Sequence, residues 1–423
     1  MDQLLRNIAV PRSLVADAAS FGGRASGDCL TGDLLLAEAA APRMLRPGEP
    51  SVVIARDCSG RLVIPRLAEA HCHLDKCHTV GRLGPVGGDL HAAIAAQASD
   101  KARWTANDLR DRAGRGLEEL YLAGCGAVRT HVDWDRDALE EGHAPLAWEV
   151  LGELAAAWRG RIVLQRAALI ALDDLADRAA AETAARLIAE SPGGVFGVFL
   201  FDQAAKRERL RLAFDLAAAY GLMLDFHVDE GLCDGLDGLA AIADLATTTR
   251  FTRPIVCGHA CSLANLDGAA LRDTIERVSA AGIGVVSLPA TNLYLQDRCD
   301  GTPQRRGITR IRELAAAGVP LAIGSDNVQD AFCPLGSHDP LAALGLAALA
   351  AQLDPPYGAW LPAVTTAARR MIGLPPLFVD EAAGDLLLTE ARHTAALLAG
   401  QGHRSGWSAQ WGLGGAAPET IPS

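Results

Sequence analysis

The sequence predicts an α/β fold, a (β/α)8 TIM-like barrel with a small β-sandwich domain formed from the N- and C-terminal segments. Three observations carry that expectation. Eight short apolar runs alternate with longer Ala/Leu/Arg-rich segments of helical period. No glycine-rich phosphate turn follows an early run, as a doubly wound sheet would require. Further strand-like stretches lie outside the eight units, at both ends of the chain.

The expected barrel strands are 62–71, 126–132, 162–170, 195–201, 222–228, 254–259, 282–288 and 319–325. Between them, helical patterning covers 107–123, 177–190, 206–220, 235–246, 267–281 and 309–317. Ahead of the barrel, 1–10, 30–38 and 50–56 read as short strands separated by Pro/Gly turns, and Gly384-Asp385-Leu386-Leu387-Leu388 reads as another near the far end. The expected division is therefore 1–61 for the first part of the small domain, 62–374 for the barrel, and 375–423 for the remainder and tail. From 400 onward the tail, with Trp407 and Trp411, has no clear period, and poor order is expected there.

Bulk properties narrow the function classes. The chain has 423 residues, half of them hydrophobic, which is enough for one large barrel and a small companion. A net charge of −12 argues against a nucleic-acid partner, since phosphate binding needs clustered cations. The ten cysteines form no CxxC pair, which fits unpaired thiols in a reducing compartment. No apolar stretch reaches membrane-spanning length and no secretory leader is apparent, so a cytoplasmic location off the membrane is expected. Composition leaves a homo-oligomer open.

Chemistry-bearing residues collect at the ends of the expected strands. The first run, Leu62 to Ala70, leads into His71-Cys72-His73; alternation puts both imidazoles on one face and turns Cys72 away. The fifth ends in His227-Val228-Asp229-Glu230, the sixth in Gly258-His259, and the eighth in Gly324-Ser325-Asp326-Asn327. A closed barrel gathers these distant segments around one mouth. Three histidines and an aspartate there can hold one divalent metal with a position left for water, whose pKa the metal lowers. Glu230, just past a ligand, is placed to move protons on a substrate. His131 and Asp133 share a face at the end of the second strand. Asp75 and Lys76 read equally as a surface ion pair or as site residues. The Gly81–Gly88 stretch reads as a lid or as a solvated loop.

Taken together, Glu69-Ala-His-Cys-His-Leu-Asp-Lys76, Arg129-Thr-His-Val-Asp133, His227-Val-Asp-Glu230, Gly258-His259-Ala-Cys-Ser262 and Gly324-Ser-Asp-Asn-Val-Gln-Asp330 resemble the amidohydrolase superfamily. More narrowly they resemble its bacterial cytosine deaminase branch, which includes triazine-ring aminohydrolases. The resemblance spans roughly residues 60 to 375, the barrel reading of the chain. It implies one iron or zinc ion held by His71, His73, His227 and Asp326. It also implies that Glu230 handles a ring proton, that His259 orients the hydrolytic water, and that Asp326 and His259 take the water's proton. Asn327, Phe332 and His131 are the expected substrate contacts. Binuclear relatives bridge two metals through a strand lysine, whereas Lys76, Lys101 and Lys206 all fall in expected loops or helix starts.

Two departures touch substrate choice. Cytosine enzymes of the branch carry a Phe-Pro-Gln turn after the third strand; here the stretch is Leu169-Ile170-Ala171-Leu172. Neutral Asn327 stands where they have a second aspartate. The expected activity is hydrolytic deamination of a small nitrogen heterocycle, such as cytosine or a related aminopyrimidine or triazine. The alternatives are cleavage of a cyclic amide or imide at the same centre, and a catalytically silent barrel with a binding role.

Overall fold

A computed structural model describes residues 3–37, 40–46, 49, 54–84, 86–381, 384–400 and 404–407. Eight strands form one parallel sheet in sequential order: β1 Leu67–Cys72, β2 Cys125–Asp133, β3 Val163–Ala171, β4 Gly194–Leu200, β5 Leu224–Val228, β6 Ile255–His259, β7 Gly284–Ser287 and β8 Leu321–Ile323. Just past β8, Asp326 makes a parallel bridge to Cys72 of β1, and this contact brings the two edges of the sheet together. The expected (β/α)8 barrel is what the chain forms. Its strands are buried on both faces, as parallel strands wrapped in helices must be.

The connecting helices follow the periodicity closely. Ala106–Leu122 starts at Thr105, whose hydroxyl accepts the Asp108 N–H at 3.2 Å, and buries Leu109, Ala113, Leu117 and Leu120 against the sheet. Asp177 caps Arg178–Glu190 in the same way. Several helices fall outside the expected set, among them Leu146–Ala157 and Pro340–Ala350. Another, Leu90–Lys101, is capped by Asp89 through the Ala92 N–H at 3.0 Å and comes between β1 and Ala106–Leu122 in the order of the chain.

A second, mixed sheet draws on both ends of the chain. Its order is Arg404–Trp407, Leu386–Thr389, Ile54–Pro65, Gln3–Pro11, Cys29–Leu36 and Arg24–Ser26, with Arg43–Met44 also paired to Cys29–Leu36. Part of the tail expected to be poorly ordered is thus a strand, because Leu386–Thr389 offers an open edge to Arg404–Trp407. Trp411 lies outside the described residues.

The apolar run 62–71 is not one strand. Val63, Ile64 and Pro65 pair with Leu386–Leu388, and the Arg66 N–H goes to Asp385 O at 2.9 Å; the next N–H, of Leu67, goes to Gly124 O at 3.0 Å in the barrel. The chain changes sheets between Arg66 and Leu67. Pro65-Arg66 stands at the change, and the apolar stretches on both sides of it are buried. Among the described residues no helix is long and apolar enough to cross a membrane.

Candidate metal centre

Four polar side chains converge where the ends of β1, β5 and β8 meet. His227 Nε2 lies 3.1 Å from His71 Nε2 and 3.1 Å from His73 Nε2. Asp326 Oδ1 is 3.2 Å from His73 Nε2 and 3.5 Å from His71 Nε2. Separations near 3.3 Å are what about 2.0 Å metal–nitrogen bonds impose between tetrahedral ligands. Burial, with Lys76 beside it, holds His73 well below the usual imidazole range; burial, with His71 beside it, does the same to His227. Neutral rings at His73 and His227 leave lone pairs available on converging nitrogens. Asp326 Oδ2 is also buried without a hydrogen-bond partner. Burial raises the Asp326 carboxyl, but His259, His71 and His73 outweigh it and hold the group ionised, well below the carboxylate range. A single divalent cation fits this donor set of converging imidazole nitrogens and one carboxylate.

Close backbone approach explains the glycines of two motifs. A Cβ on Gly258 would sit 2.8 Å from His71 Cε1, and one on Gly324 would sit 2.8 Å from His71 O. Between them they leave room for the His71 ring. The next residues take costly left-handed conformations, His259 at φ 68° and Asp326 at φ 60°. Glu69 braces the same seam: one carboxylate oxygen accepts the His71 N–H at 2.9 Å and the other the Ser325 N–H at 3.0 Å.

Glu230 and His259 face a cavity of about 290 Å³ together with His73, His227, Asn327 and Phe332. Burial, reinforced by the Asp326 charge, pushes the Glu230 carboxyl well above its ordinary range. His259 is pushed down to about 4 by burial. Its Nδ1 is 3.2 Å from Asn292 Oδ1 and 3.5 Å from Glu230 Oε1, while its Nε2 is buried without a partner. Asn327 Nδ2 donates to Asp330 Oδ2 at 2.6 Å, and Phe332 presents its ring to the cavity. Asp229 does separate work, accepting the Gly238 and Leu239 N–H groups at 3.1 Å each and so tying the helix Gly238–Thr249 to β5.

His131 departs from the expected substrate contact. It is absent from the cavity wall and fully buried, with its ring centroid 3.9 Å from that of His71 and its Nε2 3.0 Å from Asp225 Oδ1. Asp225 also takes the buried Arg129 Nη1 at 2.8 Å. Inward-facing positions of β2 and β5 therefore make a charged layer that supports the imidazoles rather than touching a ligand. Cys72 packs against the Arg129 carbonyl at 3.6 Å, away from the centre, as alternation requires.

Asp75 and Lys76 are not a surface pair. Lys76 is 3 % exposed, lies 2.6 Å from Asp133 Oδ1 and 3.1 Å from His73 Nδ1, and lines the cavity. Asp75 is buried and accepts the Asp133 N–H at 3.0 Å. Sequence reasoning missed Gln97 altogether; it stands on the cavity wall from the helix Leu90–Lys101. The Asp89 cap was the available signal for that helix.

Comparison with known proteins places this arrangement. The family model described as the amidohydrolase family matches residues 141–376. The pterin deaminase of Rhizobium rhizogenes is 36% identical over 402 residues, 93% of this chain and 90% of that protein. The N-isopropylammelide isopropyl amidohydrolase of a Pseudomonas species is 24% identical over 67% of each chain. Among solved structures, the 5-methylcytosine deaminase of Klebsiella pneumoniae with 5-fluorocytosine superimposes with a TM-score of 0.79 at 25% identity, covering 95% of this chain and 94% of that one.

Proposed function

The chain belongs to the amidohydrolase family, as a hydrolase of carbon–nitrogen bonds other than peptide bonds, and we propose that it removes exocyclic ammonia from an amino-oxo nitrogen heterocycle, with pterins the first class to test. The observation that carries this reading is the convergence of His71, His73, His227 and Asp326 beside Glu230 and His259 on one cavity. The pterin deaminase likeness over most of the chain supports the substrate class.

His71, His73, His227 and Asp326 would hold a zinc or iron ion, which when bound supplies Lewis acidity and a hydrolytic water at neutral pH. The remaining work falls to this chain's own groups. Glu230, kept protonated, donates its proton to the ring nitrogen next to the amino-bearing carbon, making that carbon electrophilic. As water adds there, Asp326 and the free Nε2 of His259 take its proton. Asn292 Oδ1, by accepting from Nδ1–H, keeps that Nε2 available. That proton passes to the amine, which leaves as ammonia, and as the carbon becomes a carbonyl its hydroxyl proton returns to the Glu230 carboxylate. Phe332 and Asn327 contact the ring, and Lys76 fixes the His73 side of the wall.

The test is ammonia release by metal-reconstituted protein from a panel of pterins, aminopyrimidines, aminopurines and triazines. Release of one ammonia with the ring intact is expected for at least one member. Ring opening without ammonia, or silence across the panel with metal bound, overturns the reading.

A further inference from the structure

We propose that Gln97 reads the edge of the substrate ring, its side-chain amide N–H donating to a ring nitrogen or a carbonyl oxygen. The proposal rests on the heterocycle reading above and names the contact that selects within it.

The helix Leu90–Lys101 turns one stripe toward the cavity: Leu90, Ile94, Gln97, Ala98 and Lys101. Their spacing is that of a single helix face. Three of the five are apolar. Lys101 is already committed, at 2.7 Å to Asp133 and 2.8 Å to Asp135. Gln97 is 2 % exposed. Its Oε1 lies 3.4 Å from the Thr79 hydroxyl, which is itself anchored on Lys76 O at 2.9 Å. The oxygen end of the amide is thus turned to the loop after β1. The nitrogen end is buried and has no hydrogen-bond partner.

A buried amide N–H left unmade is costly, and native structures rarely keep one without a use. Of the other donors on the wall, Arg136 is paired with Asp174, while Trp134 Nε1 is also buried without a partner and can meet a second acceptor of the same ring. Asn327, the other amide lining the cavity, has its nitrogen engaged by Asp330. At the end of β3 the wall is Leu169 and Ala171, and just beyond it Asp174 is paired with Arg136. Aromatic side chains, Phe199 and Phe332, supply flat apolar surface on the same cavity. A planar ring with an acceptor on its edge is the ligand that answers both features. Such a ring pairs the orphan donor and covers the aromatic faces in one pose. Gln97 would then select heterocycles that carry an edge acceptor over isosteres with a C–H there.

Gln97→Leu and Gln97→Glu test this, each compared with the unsubstituted enzyme in metal content, thermal midpoint, ring affinity by calorimetry, and kcat/KM. Metal content and midpoint should hold. Against the best heterocycle of the panel, kcat/KM should fall about 10- to 100-fold in both variants, with the loss in affinity rather than kcat. Gln97→Glu exchanges the donor for an acceptor, so it should be no better than Gln97→Leu. On a deaza analogue whose edge acceptor is a C–H, all three proteins should be equal. Deamination that proceeds at parity in Gln97→Leu overturns the role of Gln97 and leaves the deaminase reading standing. Heterocycle binding that depends on Gln97 without any ammonia release supports the contact and overturns the deaminase reading. Absence of both binding and turnover across the panel overturns both.

Discussion

The backbone N–H of Asp326 donates to the carbonyl oxygen of His71 over 2.9 Å. The bond belongs to the seam where the last strand of the barrel meets the first, and Glu69 holds the same seam from inside. Two residues that converge on the centre are therefore brought together by barrel closure itself. An ion held between them would bind the folded state and not the open chain, so metal and fold should stabilise one another.

That linkage gives the first prediction. Purified protein should hold one transition metal per chain, and chelation should lower its thermal midpoint. His227→Ala removes the nitrogen that lies 3.1 Å from both His71 and His73, and should lose most of the metal. Elemental analysis and thermal melts of the two proteins decide it. Two ions per chain, or full retention in the variant, would count against this ligand set.

Glu230 gives the second. Burial and the Asp326 charge raise its carboxyl well above the ordinary range, which favours the protonated form that can act as an acid. Activity should hold on the acid side of that raised pKa and fall as pH climbs through it. Glu230→Gln keeps the shape but has no proton to transfer, so kcat should drop about 10²–10⁴-fold with metal retained and that limb of the profile gone. Turnover near that of the unsubstituted enzyme would remove Glu230 from the chemistry.

Glu119 gives a prediction about stability and acid. Its carboxylate accepts from His338 Nδ1 at 2.9 Å and lies 3.2 Å from His78 Nε2, joining the helix Ala106–Leu122 to the loops after β1 and β8. Burial raises this carboxyl, but the His338 hydrogen bond and the charges of His78 and His338 prevail and bring it down to about 2. A folded pKa below the ordinary 4.5 means that its contribution is complete above that pH and is lost as pH falls toward about 2. Urea midpoints at pH 6, 4 and 3 should therefore decline less steeply for Glu119→Gln than for the unsubstituted protein. Parallel declines would show that the cluster carries no such linkage.

What the sequence disclosed and what it hid follow from how burial shows in a linear pattern. Histidines and acids directly after apolar runs stand out, so His71, His73, His227, Glu230, His259 and Asp326 were readable, and the barrel brings them together. The break between Arg66 and Leu67 was hard to read, because Pro65-Arg66 is a short interruption flanked on both sides by buried apolar residues. Lys76 looked like half of a surface pair; its burial depends on Asp133, distant in sequence. Gln97 was hidden for a different reason. Its helix is rich in alanine, with no strong apolar stripe to reveal which face turns inward, and an amide becomes legible only when its partners are seen to be missing.

The last prediction concerns cytosine. Two relatives that cover most of the chain point in different directions, one a pterin deaminase by sequence and one a 5-methylcytosine deaminase by structure. The wall of the cavity favours the first. Where cytosine enzymes of this branch carry a glutamine after the third strand, Leu169 and Ala171 line the cavity here without a side-chain hydrogen bond, and the next lining residue, Asp174, is paired with Arg136. Asn327 replaces an acid, and its nitrogen is spent on Asp330. A polar ring edge left unpaired in a dry pocket costs roughly 1–3 kcal/mol per group, and about 1.4 kcal/mol is a factor of ten in rate. Cytosine should therefore be at least tenfold worse in kcat/KM than the best heterocycle, with a pterin above it. A side-by-side panel under one metal condition measures this directly. Cytosine at the head of that panel would mean that another group on the wall replaces the missing glutamine, and Leu169 and Ala171 would lose their part in specificity.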